Sequence, residues 1–395
     1  MKKTVAIIIN TTWNIYNFRL GLIKSLQEEG YNVVAISPSD DYVKKLEEIG
    51  CRHYSINIDN KGSNPLHDLK LIVDYIKIFK QVSPSIILSY TIKPNIYGSI
   101  ASKMVNIPII NNISGLGTVF LSKNKTSKIA RLLYKFALTV PERVFFQNRH
   151  DMELFCKLKL VNKNKAFLIP GSGINIHKYK PMSENKFNNK DSIKFLFIAR
   201  LVKDKGLIEY VEAAKILKSK YNNVEFAVLG SFYKNNPTAI TPDQMQMWVD
   251  KGIVNYLGTS DNVKKVIAQY DCVVLPSYRE GLSRVLLEAS AMAKPIVTTN
   301  TPGCRDVVKD GYNGFLCKVK DIKSLAECID KIINLDYKSR VQLGLNGRNK
   351  VVNEFNEELV IEQYLKNIKS ILSSKLENYN LAKTDMQDVT LEINK

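Results

Sequence analysis

Short apolar runs alternate with amphipathic segments along most of this chain, and this alternation constrains its fold most strongly. Val5–Ile9 and Val33–Ile36 are runs rich in β-branched residues, which are typical of buried strands. Helical patterns follow them at about 18–29 and 41–49, and similar pairs continue to a strand at Ala166–Ile169. Strands and helices of these lengths in alternation predict a doubly wound α/β fold with a parallel sheet.

A polar, asparagine-rich stretch at 181–192 (PMSENKFNNKDS) interrupts the pattern, and a second alternating series begins at Phe195–Ala199. Such a stretch is typical of a linker, and 395 residues are too many for one ordinary core. We therefore expect two Rossmann-like domains facing across a cleft, with a last helix packing back onto the first and a polar, disordered tail after it. The predicted bounds are 1–182, 190–352, about 357–373 for the helix and 377–395 for the tail.

The charge is unevenly distributed. Residues 1–180 carry 26 Lys and Arg against 12 Asp and Glu, which is +14 of a total net charge of +19. A basic half indicates an anionic partner, namely nucleic acid, a membrane surface or a phosphorylated substrate, although a generally lysine-rich protein gives the same balance.

Cysteine and histidine patterns give no sign of a metal or disulfide site. The six cysteines form no CxxC pair and the four histidines form no cluster, so we expect core thiols in a reducing compartment. No stretch approaches the roughly 18 apolar residues of a membrane span. The expected location is the cytoplasm, with attachment to the inner face of the cytoplasmic membrane from the side.

The stretch PSYREGLSRVLLEASAMAKPIVTTNTPG, from Pro276 to Gly303, holds the first group of candidate site residues. Glu280 lies where a predicted strand gives way to a helix, the place where open α/β sheets bind ligands. The backbone N–H groups of Gly281, Leu282 and Ser283 should offer an anion site before that helix. Glu288 lies on the helix among apolar residues, and a buried carboxylate needs a hydrogen-bond partner such as a ribose diol. The alternative is two surface acids spaced by chance.

A cationic pair follows another predicted strand. Arg200 and Lys205 lie in ARLVKDKG directly after Phe195–Ala199. A guanidinium and an ammonium at this position favour a diphosphate clamp, and a solvated basic loop is the plainer alternative.

A basic amphipathic helix is predicted within Leu121–Val140, where five cations occur without an acid. Lys128, Arg131 and Lys135 flank an apolar face, a pattern typical of a helix bound to anionic lipid. A helix that faces the core with a soluble basic side gives the same pattern, and both interpretations stay open.

Two loops of the first half should also contribute to a site. Asn10–Asn17 is predicted as a loop, in which Trp13 could stack on a sugar while Asn14, Asn17 and the adjacent Arg19 donate hydrogen bonds. A packed Trp with a surface Arg explains the same residues. Ser114–Gly117 is the second loop, and it follows another predicted strand. Separately, the sequence has no GxGxxG motif, which argues against a nicotinamide cofactor.

ARLVKDKG, EGLSRVLLEA and TPGCRDVVKDGYNGFLC together resemble the retaining GT-B glycosyltransferases of family four over nearly the whole chain. WNIYNFRLGLIKSL, YTIKPNIYGSIASK and NISGLGTVF are similar to the subgroup of N-acetylhexosaminyltransferases that builds bacterial O-antigen, capsule and N-glycan precursors.

The resemblance implies a role for each matching position. Arg200 and Lys205 would bind the donor diphosphate, Glu280 the donor sugar and Glu288 the ribose, while the Gly281–Ser283 amides would face the distal phosphate. Ser114 stands where many relatives place a histidine against the donor sugar. The segment from Trp13 to Arg19 replaces a double-glycine loop.

The implied activity is transfer of a sugar such as N-acetylgalactosamine from UDP to a polyprenyl-diphosphate-linked glycan, with no cofactor and no metal required. A UDP-sugar epimerase on the same fold is one alternative. A non-enzymatic membrane- or nucleic-acid-binding module is another, although its basic segments lack the interleaved aromatic residues that stack on bases, so we expect no nucleic-acid partner.

Overall fold

The computed structural model describes residues 2–59, 64–116, 125–182, 192–233 and 236–393. The chain divides into two compact units, Met1–Ser172 with Glu358–Lys395, and Gly173–Glu357. Residues 173–182 belong to the second unit, because Ile174 pairs with Asn356 and Tyr179 is buried in its core. Most of the predicted linker, and Gly117 of the predicted loop, lie outside the described residues.

The first unit contains a parallel sheet of seven strands in the order β3-β2-β1-β4-β5-β6-β7. Residues of β1 alternate between the two faces: Ala6 and Ile8 join one core cluster, and Val5 and Ile7 join the other. The strands are β1 Thr4–Ile8, β2 Asn32–Ser37, β3 Arg52–Ser55, β4 Ile86–Tyr90, β5 Ile109–Ile113, β6 Arg143–Phe146 and β7 Ala166–Leu168.

Helices cover both faces of this sheet, as a parallel sheet requires. Helices Pro65–Val82 and Lys125–Ala137 bury residues in the cluster that contains Ala6, and helix Thr12–Glu28 packs on the other face. The remaining helices are Val43–Glu47, the π-helical turn Pro94–Gly98 that continues as Ser99–Met104, and Arg149–Lys157.

The last helix, Glu357–Ile393, buries Val360, Tyr364 and Ile368 in the core of the first unit. The structure continues this helix through the segment that the sequence analysis assigned to a disordered tail. That segment contains two Leu, two Lys and two Glu with one Ala and one Met, and these residues favour a helix although the segment lacks apolar periodicity.

The second unit contains a parallel sheet of six strands in the order β10-β9-β8-β11-β12-β13. The strands are β8 Ile193–Ile198, β9 Val224–Leu229, β10 Asn255–Tyr256, β11 Cys272–Leu275, β12 Ile296–Thr299 and β13 Gly314–Cys317. The helices are Leu207–Lys220, Pro242–Asp250, Val263–Ala268, Arg284–Ala291, Ile322–Asn334 and Tyr337–Glu354. The prediction of two doubly wound α/β domains is confirmed.

Candidate active site

The candidate site lies in the second unit, where the order of its strands reverses. β8 and β11 are neighbours in the sheet, but β9 and β12 continue on opposite sides of them. Ligands of open α/β sheets bind at the carboxyl ends of strands at such a switch point. The segment with Arg200 and Lys205 follows β8, and the segment with Glu280 follows β11.

Lys205 and Glu280 form an ion pair at this point. The Nζ atom of Lys205 lies 2.5 Å from Oε1 of Glu280, and the two side chains are 20% and 13% exposed. Gly206 allows the two loops to pack closely, because a Cβ at this residue would lie 2.0 Å from the carbonyl oxygen of Pro276. The structure thus unites a cation and an acid that lie 75 residues apart in the chain.

Arg200 has a different partner. It is exposed, and its guanidinium carbon lies 4.8 Å from the centre of the Tyr233 ring, within the range of a cation–π contact. The two cations of the predicted clamp therefore lie in one loop but are held by different groups. Tyr233 was missed in the sequence because it lies beyond the next strand.

The turn after Glu280 differs in part from the prediction of three unpaired amides. The N–H of Ser283 donates to the carbonyl oxygen of Gly303 at 3.3 Å, so this amide is already engaged. No side-chain hydrogen bond caps helix Arg284–Ala291, so its first-turn N–H groups lack a side-chain acceptor at the N-cap. The expectation for Ser283 is wrong because the β12–β13 connection packs directly against the turn.

Glu288 is buried, as predicted, but protein groups already contact its carboxylate. The Nε atom of Arg284 lies 3.1 Å from Oε1 of Glu288, and Nη1 of Arg284 donates to the carbonyl oxygen of Gly173 at 2.7 Å. Burial, followed by the charge of the Glu288 carboxylate, raises the pKa of Tyr179 well above its usual value. The i,i+4 spacing could have suggested Arg284, whereas nothing in the sequence linked Tyr179 to this carboxylate.

The predicted first loop of the chain is helical instead. Helix Thr12–Glu28 begins before Trp13, so Trp13, Asn14, Asn17 and Arg19 all lie on a helix. Arg19 is buried, with its guanidinium carbon 4.3 Å from the centre of the Tyr90 ring, and is not an exposed donor.

Trp13 is 44% exposed and packs edge-to-face on Phe18. Asn14 is half-buried, and the side chain of Asn17 donates to the carbonyl oxygen of Trp13 at 2.9 Å. Ser114 is exposed directly after β5, with its hydroxyl 3.4 Å from Oδ1 of Asn112.

Helix Lys125–Ala137 exposes apolar side chains. Ile129, Leu132 and Phe136 are 60%, 55% and 66% exposed, while Tyr134 and Ala137 pack into the core from the opposite face. Lys128 and Lys135 are exposed and Arg131 is half-buried. The interpretation that the whole apolar face is buried in the core is therefore wrong for Ile129, Leu132 and Phe136.

Neither a metal cluster nor a bilayer-spanning segment occurs in the part of the chain that the structure describes. No group of three or more His, Cys, Asp or Glu side chains there could hold a metal ion. No helix among the same residues is both long and apolar enough to cross a bilayer.

Two family models match the chain, one in each half. The model described as Glycosyl transferases group 1 matches residues 180–350, and the model described as Glycosyl transferase 4-like matches residues 4–148.

Curated relatives extend this similarity over most of the chain. The N,N'-diacetylbacillosaminyl-diphospho-undecaprenol alpha-1,3-N-acetylgalactosaminyltransferase of Campylobacter jejuni is 30% identical over 89% of this chain and 95% of its own length. The capsular polysaccharide biosynthesis glycosyltransferase CapM of Staphylococcus aureus is 29% identical over 75% of this chain and 79% of its own.

Solved structures share the fold at lower sequence identity. Sucrose-phosphate synthase from Thermosynechococcus elongatus superposes with a TM-score of 0.79 at 19% identity, covering 94% of this chain and 100% of its own. HepE from Anabaena in complex with UDP gives a TM-score of 0.76 at 18% identity, with coverage of 94% and 100%. At these identities the likeness shows the fold alone.

Proposed function

The chain belongs to the group 1 glycosyltransferases of family four, and from this premise we propose that it transfers an N-acetylhexosamine from UDP to a polyprenyl-diphosphate-linked glycan. The observation that carries the proposal is the Lys205–Glu280 pair at the switch point of the second sheet, where Arg200 lies in the same loop as Lys205. A cation for a diphosphate and a carboxylate for sugar hydroxyls meet in this pair. The name of the Campylobacter jejuni relative, which gives a diphospho-undecaprenol-linked acceptor, supports the acceptor class.

Arg200 and Lys205 bind the donor diphosphate in this proposal. Leu282 and the uncapped start of helix Arg284–Ala291 supply backbone N–H groups to the distal phosphate, and Ser283 contributes less because its amide is engaged. Charge develops on that phosphate as the nucleoside diphosphate departs, and donors placed beforehand stabilise it. Because these groups perform the task of a divalent cation, we propose that the reaction needs no metal or other cofactor.

The chemical step retains the configuration at the anomeric carbon. The bond between that carbon and the phosphate oxygen breaks, and the acceptor hydroxyl forms the new bond from the same face. The proton of that hydroxyl passes to the departing phosphate, so no protein base is required. Glu280, fixed by Lys205, accepts hydrogen bonds from the donor sugar and positions it, and Glu288 accepts them from the ribose.

The acceptor side is proposed for the first unit. Trp13 is the predicted sugar contact because it is exposed at the start of its helix, and Ser114 is an exposed hydroxyl after β5. Asn14 and Asn17 stay predicted contacts. Arg19 is not proposed as one, because it is buried against Tyr90.

The first unit also carries a surface suited to anionic lipid. Ile129, Leu132 and Phe136 expose apolar area beside Lys128 and Lys135, which matches a lipid surface in both polarity and charge. Helix Pro65–Val82 packs on the same face of the sheet and exposes three further apolar residues one to two turns apart: Leu66, Leu69 and Val73. We propose peripheral attachment to the inner face of the cytoplasmic membrane through this surface.

A panel of nucleotide sugars with a short polyprenyl-diphospho-sugar acceptor tests the function, with and without EDTA. We expect acceptor-dependent release of UDP that EDTA does not abolish. Turnover of the donor without acceptor would instead indicate an epimerase, and no turnover with any nucleotide sugar would indicate a binding module. Loss of transfer in EDTA with recovery on Mg²⁺ would refute the metal-independent mechanism.

A further inference from the structure

We propose that Arg284 is a positioning residue that fixes the carboxylate of Glu288 for the ribose of the donor nucleotide. In this inference, discrimination for the ribose hydroxyls depends on Arg284 as much as on Glu288. It rests on the proposed function, in which Glu288 accepts hydrogen bonds from the ribose.

The stability of its own helix does not explain Arg284. Arg284 is the first residue of helix Arg284–Ala291, where a cation opposes the helix dipole. Its pairing with Glu288 at i,i+4 also has the basic residue first, the weaker of the two orientations. Because Arg284 does not stabilise its own helix, we infer that it is needed for its contact with Glu288 or for the ligand that Glu288 binds.

The guanidinium is held at two ends. Nη1 of Arg284 donates to the carbonyl oxygen of Gly173 at 2.7 Å, while Nε lies 3.1 Å from Oε1 of Glu288. Because the guanidinium is planar and rigid, the contact to the main chain sets the direction of the contact to the carboxylate.

The carboxylate retains capacity for a ligand. An ionised carboxylate offers about four lone-pair positions, and the contact from Arg284 Nε occupies about one of them. The remaining capacity is sufficient for the two hydroxyls of a ribose diol. The side chain of Glu288 is 8% exposed, so a small edge of it is open rather than sealed in the core.

Calorimetric titration of the full-length protein with UDP and with 2′-deoxyUDP tests the inference. We expect the unchanged protein to bind UDP at least about tenfold more tightly than 2′-deoxyUDP, since a hydrogen bond to a charged group is at stake. In Arg284→Gln this ratio should fall to within about threefold of one, as it should in Glu288→Gln. Arg284→Lys, which keeps the charge but loses the rigid fork, should recover only part of the ratio.

Thermal unfolding of each variant and one control variant protect the test from a folding artefact. Arg284→Gln should lower the ratio while the protein still unfolds cooperatively. Lys350→Gln breaks the i,i+4 pair with Glu354 elsewhere in the second unit and should leave the ratio unchanged.

The outcomes separate the two levels of proposal. If the unchanged protein discriminates between the two ligands and Arg284→Gln discriminates equally well, the positioning inference is overturned alone. If the unchanged protein binds both ligands alike, the ribose role of Glu288 fails, and the inference fails with it. A lower affinity of Arg284→Gln for both ligands at an unchanged ratio would assign Arg284 to the phosphates and also overturn the inference.

Discussion

Replacement of Gly303 by alanine should displace the loop that carries Glu280. Gly303 has a φ of +80°, and a Cβ there would lie 2.5 Å from the carbonyl oxygen of Glu280 and 2.7 Å from that of Gly281. Ordinary contact begins at 3.4 Å, so the Glu280–Gly281 segment must move by about 0.9 Å. Because the neighbouring atoms are main chain, no side-chain rotation relieves the clash.

The magnitude follows from this displacement. A shift of about 1 Å in a positioning group costs on the order of 100-fold in rate, so we expect a loss in kcat of that size for Gly303→Ala. The left-handed backbone adds about 1–2 kcal/mol of strain to the folded state. Gly311→Ala is the matched control, because Gly311 has a φ of +71° and nothing lies within 4 Å of its added Cβ.

Initial rates of transfer and thermal unfolding of the two variants decide the matter. Both should lose stability through backbone strain, with the larger loss in Gly303→Ala, and Gly311→Ala should keep kcat within about threefold of the unchanged protein. If both variants are folded and have equal kcat, Gly303 does not set the position of Glu280, and the reasoning is refuted.

Three further predictions concern the site, the lipid surface and stability. Glu288→Ala should weaken UDP binding in calorimetry, whereas Glu280→Ala should chiefly lower kcat; unchanged values in both would contradict their assignment. A variant with Glu at Lys128, Arg131 and Lys135 should sediment less with anionic vesicles than the unchanged protein. The control variant has Glu at three exposed lysines of the second unit, Lys215, Lys220 and Lys251, and should sediment as the unchanged protein does. Equal sedimentation of the two variants would contradict the proposed lipid-binding surface. Burial lowers the pKa of His53 below 6.5, so the unfolded chain binds the proton first and the first unit should lose stability as the pH falls below about 6.5. Urea unfolding at several pH values should show that His53→Gln loses less unfolding free energy at low pH than the unchanged protein. An identical loss in both proteins would exclude His53 as the source of the pH dependence.

The sequence predicted features that depend on short segments and on the logic of parallel sheets. Apolar runs located the strands, and the ends of β8 and β11 placed Lys205 and Glu280 on the same edge of one sheet. The pairing of these two side chains, and the contact of Arg200 with Tyr233, depend on loop packing that no local pattern encodes.

The misplaced start of the first helix has a traceable cause. Ile15, Arg19 and Leu22 lie on one buried stripe of helix Thr12–Glu28, so the helical period already includes an arginine. The sequence analysis treated Arg19 as an exposed donor next to a loop and began the helix at about residue 18, after the segment that contains Trp13. In helix Lys125–Ala137 the sequence predicts the helical period of the apolar residues, but that period does not show which face of the helix the rest of the fold covers.

In the proposed function two acids and an anionic donor share one site, and the arrangement of cations resolves the conflict between their charges. A bare carboxylate would repel a diphosphate, but Lys205 is paired with Glu280 and Arg284 with Glu288. Each acid can therefore offer its remaining lone pairs to hydroxyls without adding a full uncompensated charge. In this proposal the net attraction for the diphosphate comes chiefly from Arg200, which contacts Tyr233, and from the N-terminus of helix Arg284–Ala291, while Lys205 contributes less because it is paired with Glu280. Recognition of hydroxyls and recognition of phosphates can thus share one edge of the sheet, because Lys205 and Arg284 compensate the charges of the two acids. The diphosphate then meets no uncompensated carboxylate.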